Sequence, residues 1–278
     1  METQVKQIVP AHPAADGDGV KIQRTSLFNQ PIADPFLLLD ELGSDNPEDY
    51  IGGFPPHPHR GMETLTYLKQ GSLTHTDHMG NKGAISSGGA QWMSAGRGVI
   101  HSEMPAREQQ RLHGFQLWIN LPASQKMQPP QYRDIERQQM TEATLGNGGY
   151  ATIIAGAWQL NQQQYQGPLT TLAADARYLD AFLPAGESLS VSLPENYTLL
   201  AYVYQGQLNT CISSGSQMLV VIDHQGTADI HAVQDSSFLL LAGKPLAEPV
   251  AHYGPFVMNT TDEIEQAIRD YQNGTLAL

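Results

Sequence analysis

Glycine and proline interrupt this chain so often that few stretches are long enough to form a helix. The 26 glycines and 18 prolines among 278 residues leave runs of about four to eight residues, the length of strands bounded by turns. These runs are rich in β-branched, aromatic and leucine residues, as at 64–68, 112–120, 151–155, 199–204 and 238–241. Such a pattern predicts an all-β chain built as a sandwich or barrel. One helix is expected at the end. Thr260 stands three residues before Glu263, the spacing of a capping box. Ile264, Ala267, Ile268 and Tyr271 then recur at helical intervals, and Gly274 is placed to stop the run.

Composition excludes several classes of function. The formal net charge is −13, from 15 basic and 28 acidic residues. Affinity for phosphate backbones and for anionic lipid comes from clustered Lys and Arg, so neither nucleic acid nor a membrane surface is an expected partner. The longest apolar stretches, such as 35–39 and 238–242, are far too short to span a bilayer. The first residues lack the apolar core of a signal peptide. The one cysteine, Cys211, excludes an internal disulfide and fits a reducing compartment, so a cytoplasmic location is expected.

The two halves resemble each other. Thr66-Tyr-Leu-Lys-Gln-Gly-Ser-Leu73 matches Ala201-Tyr-Val-Tyr-Gln-Gly-Gln-Leu208 at Tyr, Gln, Gly and Leu, and Met93-Ser-Ala-Gly-Arg97 resembles Leu240-Leu-Ala-Gly-Lys244. Two matches in the same order predict a duplicated β domain. In the first register His57 and His59 fall opposite Ser192 and Pro194, so the second half keeps the scaffold and loses the metal-binding side chains. The polar stretch 122–149 reads as the connection, with an irregular strand around 132–135.

The chemistry concentrates in two short segments. Gly-Gly-Phe-Pro-Pro-His-Pro-His-Arg-Gly-Met-Glu (52–63) carries His57 and His59, and Gly-Arg-Gly-Val-Ile-His-Ser-Glu (96–103) carries His101 and Glu103. Residues i and i+2 of a strand share a face, so each pair can point inward together. Three imidazoles and one carboxylate suit a first-row transition ion with open positions, close to the two-histidine, one-carboxylate set of non-haem iron oxygenases. Without thiolates, Fe, Mn, Ni, Co or Cu is favoured over structural zinc. Glu63 shares the parity of His57 and His59 but is assigned a supporting role. His75, His78 and His113 are assigned to ordinary packing rather than to the pocket, as are His224, His231 and His252 in the second half. Trp92, Met93, Phe115 and Trp118 are either apolar walls or core, with core the default. Arg60 and Arg97 are expected to pair with carboxylates near the site.

These segments resemble the two cupin motifs, and in wording they are closely similar to the pirin family. The similarity is carried by residues 52–64, by Gln-Trp-Met-x-Ala-Gly-Arg-Gly-x-x-His-x-Glu-Met-Pro (91–105) and by Gly-Pro-Phe-Val-Met-Asn-Thr (254–260). Asp34-Pro-Phe-Leu-Leu-Leu-Asp40 and Gln116-Leu-Trp118 also fit, so the resemblance runs from about residue 20 to about residue 275. It implies two cupin β-barrels with a short C-terminal helix: a metal-binding domain at 1–130, a degenerate domain without ligands at 131–245, and a tail and helix at 246–278 docked on the body. It implies His57, His59, His101 and Glu103 as ligands of one divalent ion, foremost Fe(II), with Mn, Ni, Co, Cu or Zn as alternatives. Quercetin 2,3-dioxygenase activity is implied for some members. The substrates would then be a small enol-bearing aromatic such as a flavonol and O2, with Glu103 as the base. A redox-sensing role toward a protein partner, a transcription factor or metabolic enzyme, is implied for others. A monomer is expected.

Overall fold

The computed structural model describes residues 4–107, 110–209 and 217–278, so Cys211 lies outside the described residues. The chain forms two compact units, one of Pro13–Asn29, Phe36–Gln138 and Ala247–Leu278, the other of Met1–His12, Gln30–Pro35 and Gln139–Leu246.

In the first unit a seven-stranded antiparallel sheet faces a four-stranded one. The larger runs in the order Gln131–Ile135, Ala90–Ser94, Met62–Gln70, Leu112–Asn120, Phe36–Ser44, Val20–Ser26 and His12–Asp16; the smaller runs Phe54–His59, Val99–Pro105, Ser72–Asp77 and Lys82–Ser86. The alternating side chains of these strands bury Leu68, Leu73, Ile85, Leu42 and Ile22 in one cluster, and Met62, Met93, Val99, Trp118 and Leu38 in another.

The second unit repeats the order. Its seven strands are Gln4–Pro10, Met218–Asp223, Thr198–Gln205, Ser236–Gly243, Arg177–Leu183, Gly149–Ala155 and Thr141–Gly146. The first sequence match survives: Met62–Gln70 and Thr198–Gln205 are the third strands of the two sheets, each followed by a glycine at positive φ, Gly71 (101°) and Gly206 (86°). The second match is coincidental. Met93 lies on the second strand of its sheet, whereas Leu240 lies on the fourth of the other, whose counterpart is Leu112–Asn120. The strand Ser188–Ser192 pairs with Thr227–His231 as Phe54–His59 pairs with Val99–Pro105. Here Leu189, Val191, Ala228 and Ile230 fill the inward positions with an apolar core, and Asp229 and His231 of the strand Thr227–His231 alternate with the latter two on its other face.

Three features differ from the sequence-based division. Gln4–Pro10 pairs with Met218–Asp223 in the second unit, where its backbone groups complete a sheet edge, so the chain's start does not belong with residues 13–130. The connection 122–149 is largely structured, with Gln131–Ile135 pairing onto Ala90–Ser94 and Thr141–Gly146 onto Gly149–Ala155. The tail returns to the first unit, as a hairpin of Ala251–Tyr253 and Phe256–Met258 followed by the helix Thr261–Gln272. The capping box forms, with the Thr260 N–H donating to Glu263 Oε2 (2.9 Å) and the Glu263 N–H to Thr260 Oγ1 (3.3 Å). Ile264 and Ala267 are buried against Phe256, Met258 and Leu276, while Tyr271, at the end of the predicted stripe, remains 42% exposed. Among the described residues no helix is long and apolar enough to cross a membrane.

Candidate metal centre

Two adjacent strands bring the histidines together. In the antiparallel pair Phe54–His59 and Val99–Pro105, His101 sits directly opposite His57, and His59 lies two residues further along the first strand. Ring centroids are 4.4 Å apart for His57–His101, 4.8 Å for His57–His59 and 5.0 Å for His59–His101. One ring nitrogen from each lies within 4.8 Å of the others. Gly61, at φ 79°, turns the chain just after His59, and an added Cβ there would meet the Val257 carbonyl at 2.0 Å. Only glycine suits both the angle and the space.

Each imidazole presents a nitrogen that no protein group uses. His57 Nδ1 donates to the Pro55 carbonyl (2.8 Å), which leaves Nε2 bare. His59 Nδ1 and His101 Nε2 are buried without a hydrogen-bond partner. Burial and the neighbouring His57 push the His59 pKa well below its ordinary value, against a hydrogen bond to the Pro255 backbone. Burial, then His59, His57 and His75, does the same to His101. Neutral imidazoles with orphaned lone pairs are what a metal ion requires of its ligands, because an unsatisfied buried polar atom is costly unless something binds it. The donor set therefore fits a first-row divalent ion.

Glu103 stands outside this triad. It is buried on the strand of His101, beyond an irregularity in the pairing with Phe54–His59. Both of its oxygens are held: Thr66 Oγ1 donates to Oε1 (3.2 Å) and Gln116 Nε2 to Oε2 (2.8 Å). Gln116 Oε1 in turn accepts from Trp118 Nε1 (3.3 Å). Glu63 is buried on Met62–Gln70, in the other sheet of the unit.

Behind His101 lies a polar chain that sequence reasoning missed. His101 Nδ1 and His75 Nδ1 are 3.3 Å apart, and His75 Nε2 is 3.2 Å from Asp77 Oδ2. Although burial raises the Asp77 pKa, hydrogen bonds from the Asn81 side chain, His75 and the Asn81 N–H hold it below the usual carboxylate value. Tyr132 stacks on His75 at 4.4 Å and donates to Asp134 Oδ1 (2.6 Å). His75 sits two residues before an aspartate on a strand, and that alternation is the only signal the sequence offered.

A cavity of about 710 Å³ opens in front of His57 and His59, bounded by Phe28, Leu38, Phe54, Trp118, His252 and Pro255. Its volume lies within the range of small-molecule sites, about 300–1,000 Å³. Phe28 stacks on His252 (3.8 Å, 20°) and meets the edge of Trp118 (6.3 Å). Arg24, also at the cavity, is clamped by Asp40 (2.8 and 2.6 Å) and Asp16 (2.5 Å).

Several assignments change. His252, expected with the second half, is carried by the returning tail to the cavity wall. Trp118 lines the cavity, whereas Trp92, Met93 and Phe115 are buried core. His113 bonds Glu41 (3.0 Å), and His78 Nδ1 accepts from the Ile100 N–H (3.3 Å). Arg60 does pair with a carboxylate, but it is Asp270 of the terminal helix (2.7 Å), and Arg97 donates to the main-chain oxygen of Leu278 (3.1 Å). Both arginines thus pin the tail and not the site. The unforeseen Lys126, 1% exposed, donates to Asn120 Oδ1 (2.6 Å) and to the carbonyls of Gly61 (2.7 Å) and Val257 (3.0 Å). It ties the turn after His59 to the tail hairpin.

Two family models match the sequence, Pirin over residues 19–119 and the Pirin C-terminal cupin domain over residues 178–277. A Vibrio cholerae protein that carries the provisional name quercetin 2,3-dioxygenase is 49% identical over 98% of this chain and 97% of its own length. A pirin-like protein of Caulobacter vibrioides is 41% identical over 97% of this chain and 98% of its own. Among solved structures, a quercetin 2,3-dioxygenase from Acinetobacter baumannii superposes with a TM-score of 0.89 at 33% identity, covering 99% of both chains. A bacterial pirin from Escherichia coli in complex with nickel(II) has a TM-score of 0.65 at 23% identity over 86% of this chain and 99% of its own, a likeness of fold. Both halves are cupin domains.

Proposed function

The chain belongs to the pirin family, and from that premise we propose that it is a metal-dependent dioxygenase acting on a flavonol such as quercetin or a similar enol-bearing aromatic. The observation that carries this reading is the meeting of the three histidines with the cavity. Orphaned ring nitrogens of His59 and His101 lie beside His57, and the space in front is walled by Phe28, Trp118 and His252. His57, His59 and His101 would hold the ion, with Glu103 as fourth ligand and Fe(II) as the foremost candidate. When bound, such an ion supplies Lewis-acid stabilisation of an enolate oxygen and a centre for O2.

The remaining work falls to the chain itself. Phe28 and Trp118 offer ring faces and edges to a planar substrate, and the aromatic wall excludes water from the reacting end. Arg24, held by two carboxylates, presents a fixed polar group for substrate hydroxyls. Glu103 is the base that takes the enol proton on a carboxylate oxygen. Gln116 and Thr66 hold that carboxylate in one orientation, and Trp118 links Gln116 to the cavity wall.

Anaerobic loading with Fe(II), followed by oxygen uptake with quercetin, tests the proposal in wild type beside His101→Ala. Uptake that requires the metal and vanishes in the variant is expected. Loaded wild type that consumes neither quercetin nor oxygen would sink the flavonol reading.

A further inference from the structure

We infer that His75 and Asp77 are positioning residues that set the tautomer of His101 and aim its Nε2 lone pair at the metal site. The inference rests on the metal site proposed above and goes beyond it, since it concerns residues that hold a ligand rather than the ligands.

Donors and acceptors along the chain fix the place of each hydrogen. Asp77 is anchored from the far side: its Oδ1 accepts the N–H groups of Met79 (2.9 Å) and Asn81 (3.0 Å), and its Oδ2 accepts Asn81 Nδ2 (2.8 Å). A carboxylate so surrounded by donors can only accept, so His75 Nε2 must carry the hydrogen between it and Asp77 Oδ2 (3.2 Å). A neutral His75 then has a bare Nδ1. The 3.3 Å contact between the two Nδ1 atoms is satisfied only if His101 carries its hydrogen on Nδ1. His101 Nε2 is left with a lone pair, and this is the atom found buried with no protein partner.

Orientation is fixed as firmly as protonation. The His75 ring is 1% exposed and lies flat against Tyr132, whose hydroxyl is tied to Asp134 and to Gln91 Nε2 (2.9 Å). The backbone supplies the spacing, because His101 is the direct cross-strand partner of Asp77, and Glu103 that of His75. A ligating histidine whose second nitrogen is held by a buried acceptor keeps its ring orientation, and such outer partners typically change metal affinity 10- to 100-fold. Asp77→Asn is the informative change. Its amide would donate to His75 Nε2, move the His75 hydrogen to Nδ1, and force His101 into the Nε2–H form that cannot bind.

The test uses the full chain, labelled with ¹⁵N at histidine. The His101 resonances are identified by their loss in His101→Gln, and Co(II) affinity is measured by competition with a chromophoric chelator. In metal-free wild type, His101 is expected as the Nδ1–H tautomer. In Asp77→Asn it shifts toward Nε2–H, and Co(II) affinity falls about 10- to 100-fold. His75→Phe keeps the stack on Tyr132 while removing both nitrogens, and it is expected to lower affinity similarly; it carries the test should Asp77→Asn fail to fold. An Nε2–H His101 in metal-free wild type overturns the inference. So does equal, tight Co(II) binding by wild type and both variants, which would leave the metal site standing. Wild type that binds no Co(II) overturns the metal site first and the positioning role with it.

Discussion

Lys126 lets a single buried charge be read in the pH dependence of folding. Its ammonium has three acceptors but no carboxylate among them, and burial pulls its pKa from 10.5 down to about 8 despite the opposing influence of Glu248 and Glu263. In the unfolded chain the group keeps its ordinary value. Below pH 8 both states hold the proton and the lysine contributes no slope. Between about pH 8 and 10.5 the unfolded state holds one proton more than the native state, so stability rises with pH by about 1.4 kcal/mol per unit, reaching about 3 kcal/mol in all. Lys126→Met removes this slope. It also strands three acceptors, which at about 1 kcal/mol each costs roughly 3 kcal/mol at pH 7. Urea unfolding of metal-free wild type and variant from pH 7 to 10 measures both quantities, and the difference between the two proteins cancels the tyrosines that titrate at the alkaline end. The gap should widen from pH 8 upward. Parallel curves would refute the reasoning, since they would mean an ammonium that keeps its ordinary pKa in the native state.

Two further substitutions probe how the tail and the ligand turn are held. Thr260→Ala deletes one arm of the capping box and should lower stability by about 1 kcal/mol in denaturant unfolding, with Thr260→Ser restoring most of it. Gly61→Ala forces a Cβ to 2.0 Å from the Val257 carbonyl at a φ of 79°; a loss of at least about 2 kcal/mol in thermal unfolding is expected, with weakened metal binding because the turn follows His59 directly.

The histidines were legible because their logic is local. His57 and His59, and His101 and Glu103, are i, i+2 pairs bracketed by glycine turns, and strand parity alone puts each pair on one face. The supports were not legible, because they come from other elements of the fold. Gln116 reaches Glu103 from Leu112–Asn120, His75 reaches His101 from Ser72–Asp77, and Lys126 clamps Gly61 from a turn 65 residues on. Nothing in the spacing of these residues announces a contact that only sheet order creates. The same reason explains His252. Its position late in the chain assigns it to the second half, but the tail hairpin carries it to Phe28. The one repeat that failed, at Met93 and Leu240, matched an Ala-Gly that turns the chain after Ala90–Ser94 to an Ala-Gly paired within the strand Ser236–Gly243, a local likeness that topology overrules.

Glu103 is the place where ligation and base catalysis can be separated. Glu103→Gln keeps the size of the side chain and removes its charge. The new amide can keep both neighbours: its oxygen accepts from Gln116 Nε2, and its nitrogen faces Thr66 Oγ1, a hydroxyl that can accept as well as donate. The fold should therefore be preserved, and any change in function reports the lost carboxylate. If Glu103 is a ligand, Fe(II) affinity falls at least about 10-fold, and the three histidines alone retain the remainder. If it is also the base, turnover of the fully loaded variant falls by a further factor of about 10² to 10⁴ with quercetin, and a substrate whose enol is already ionised recovers much of that second loss. Unchanged Fe(II) affinity beside a large loss of turnover would remove Glu103 from the ligand set and leave it the base alone. A variant that binds metal and turns over like wild type would remove it from both roles, and the triad would then have to work without a carboxylate.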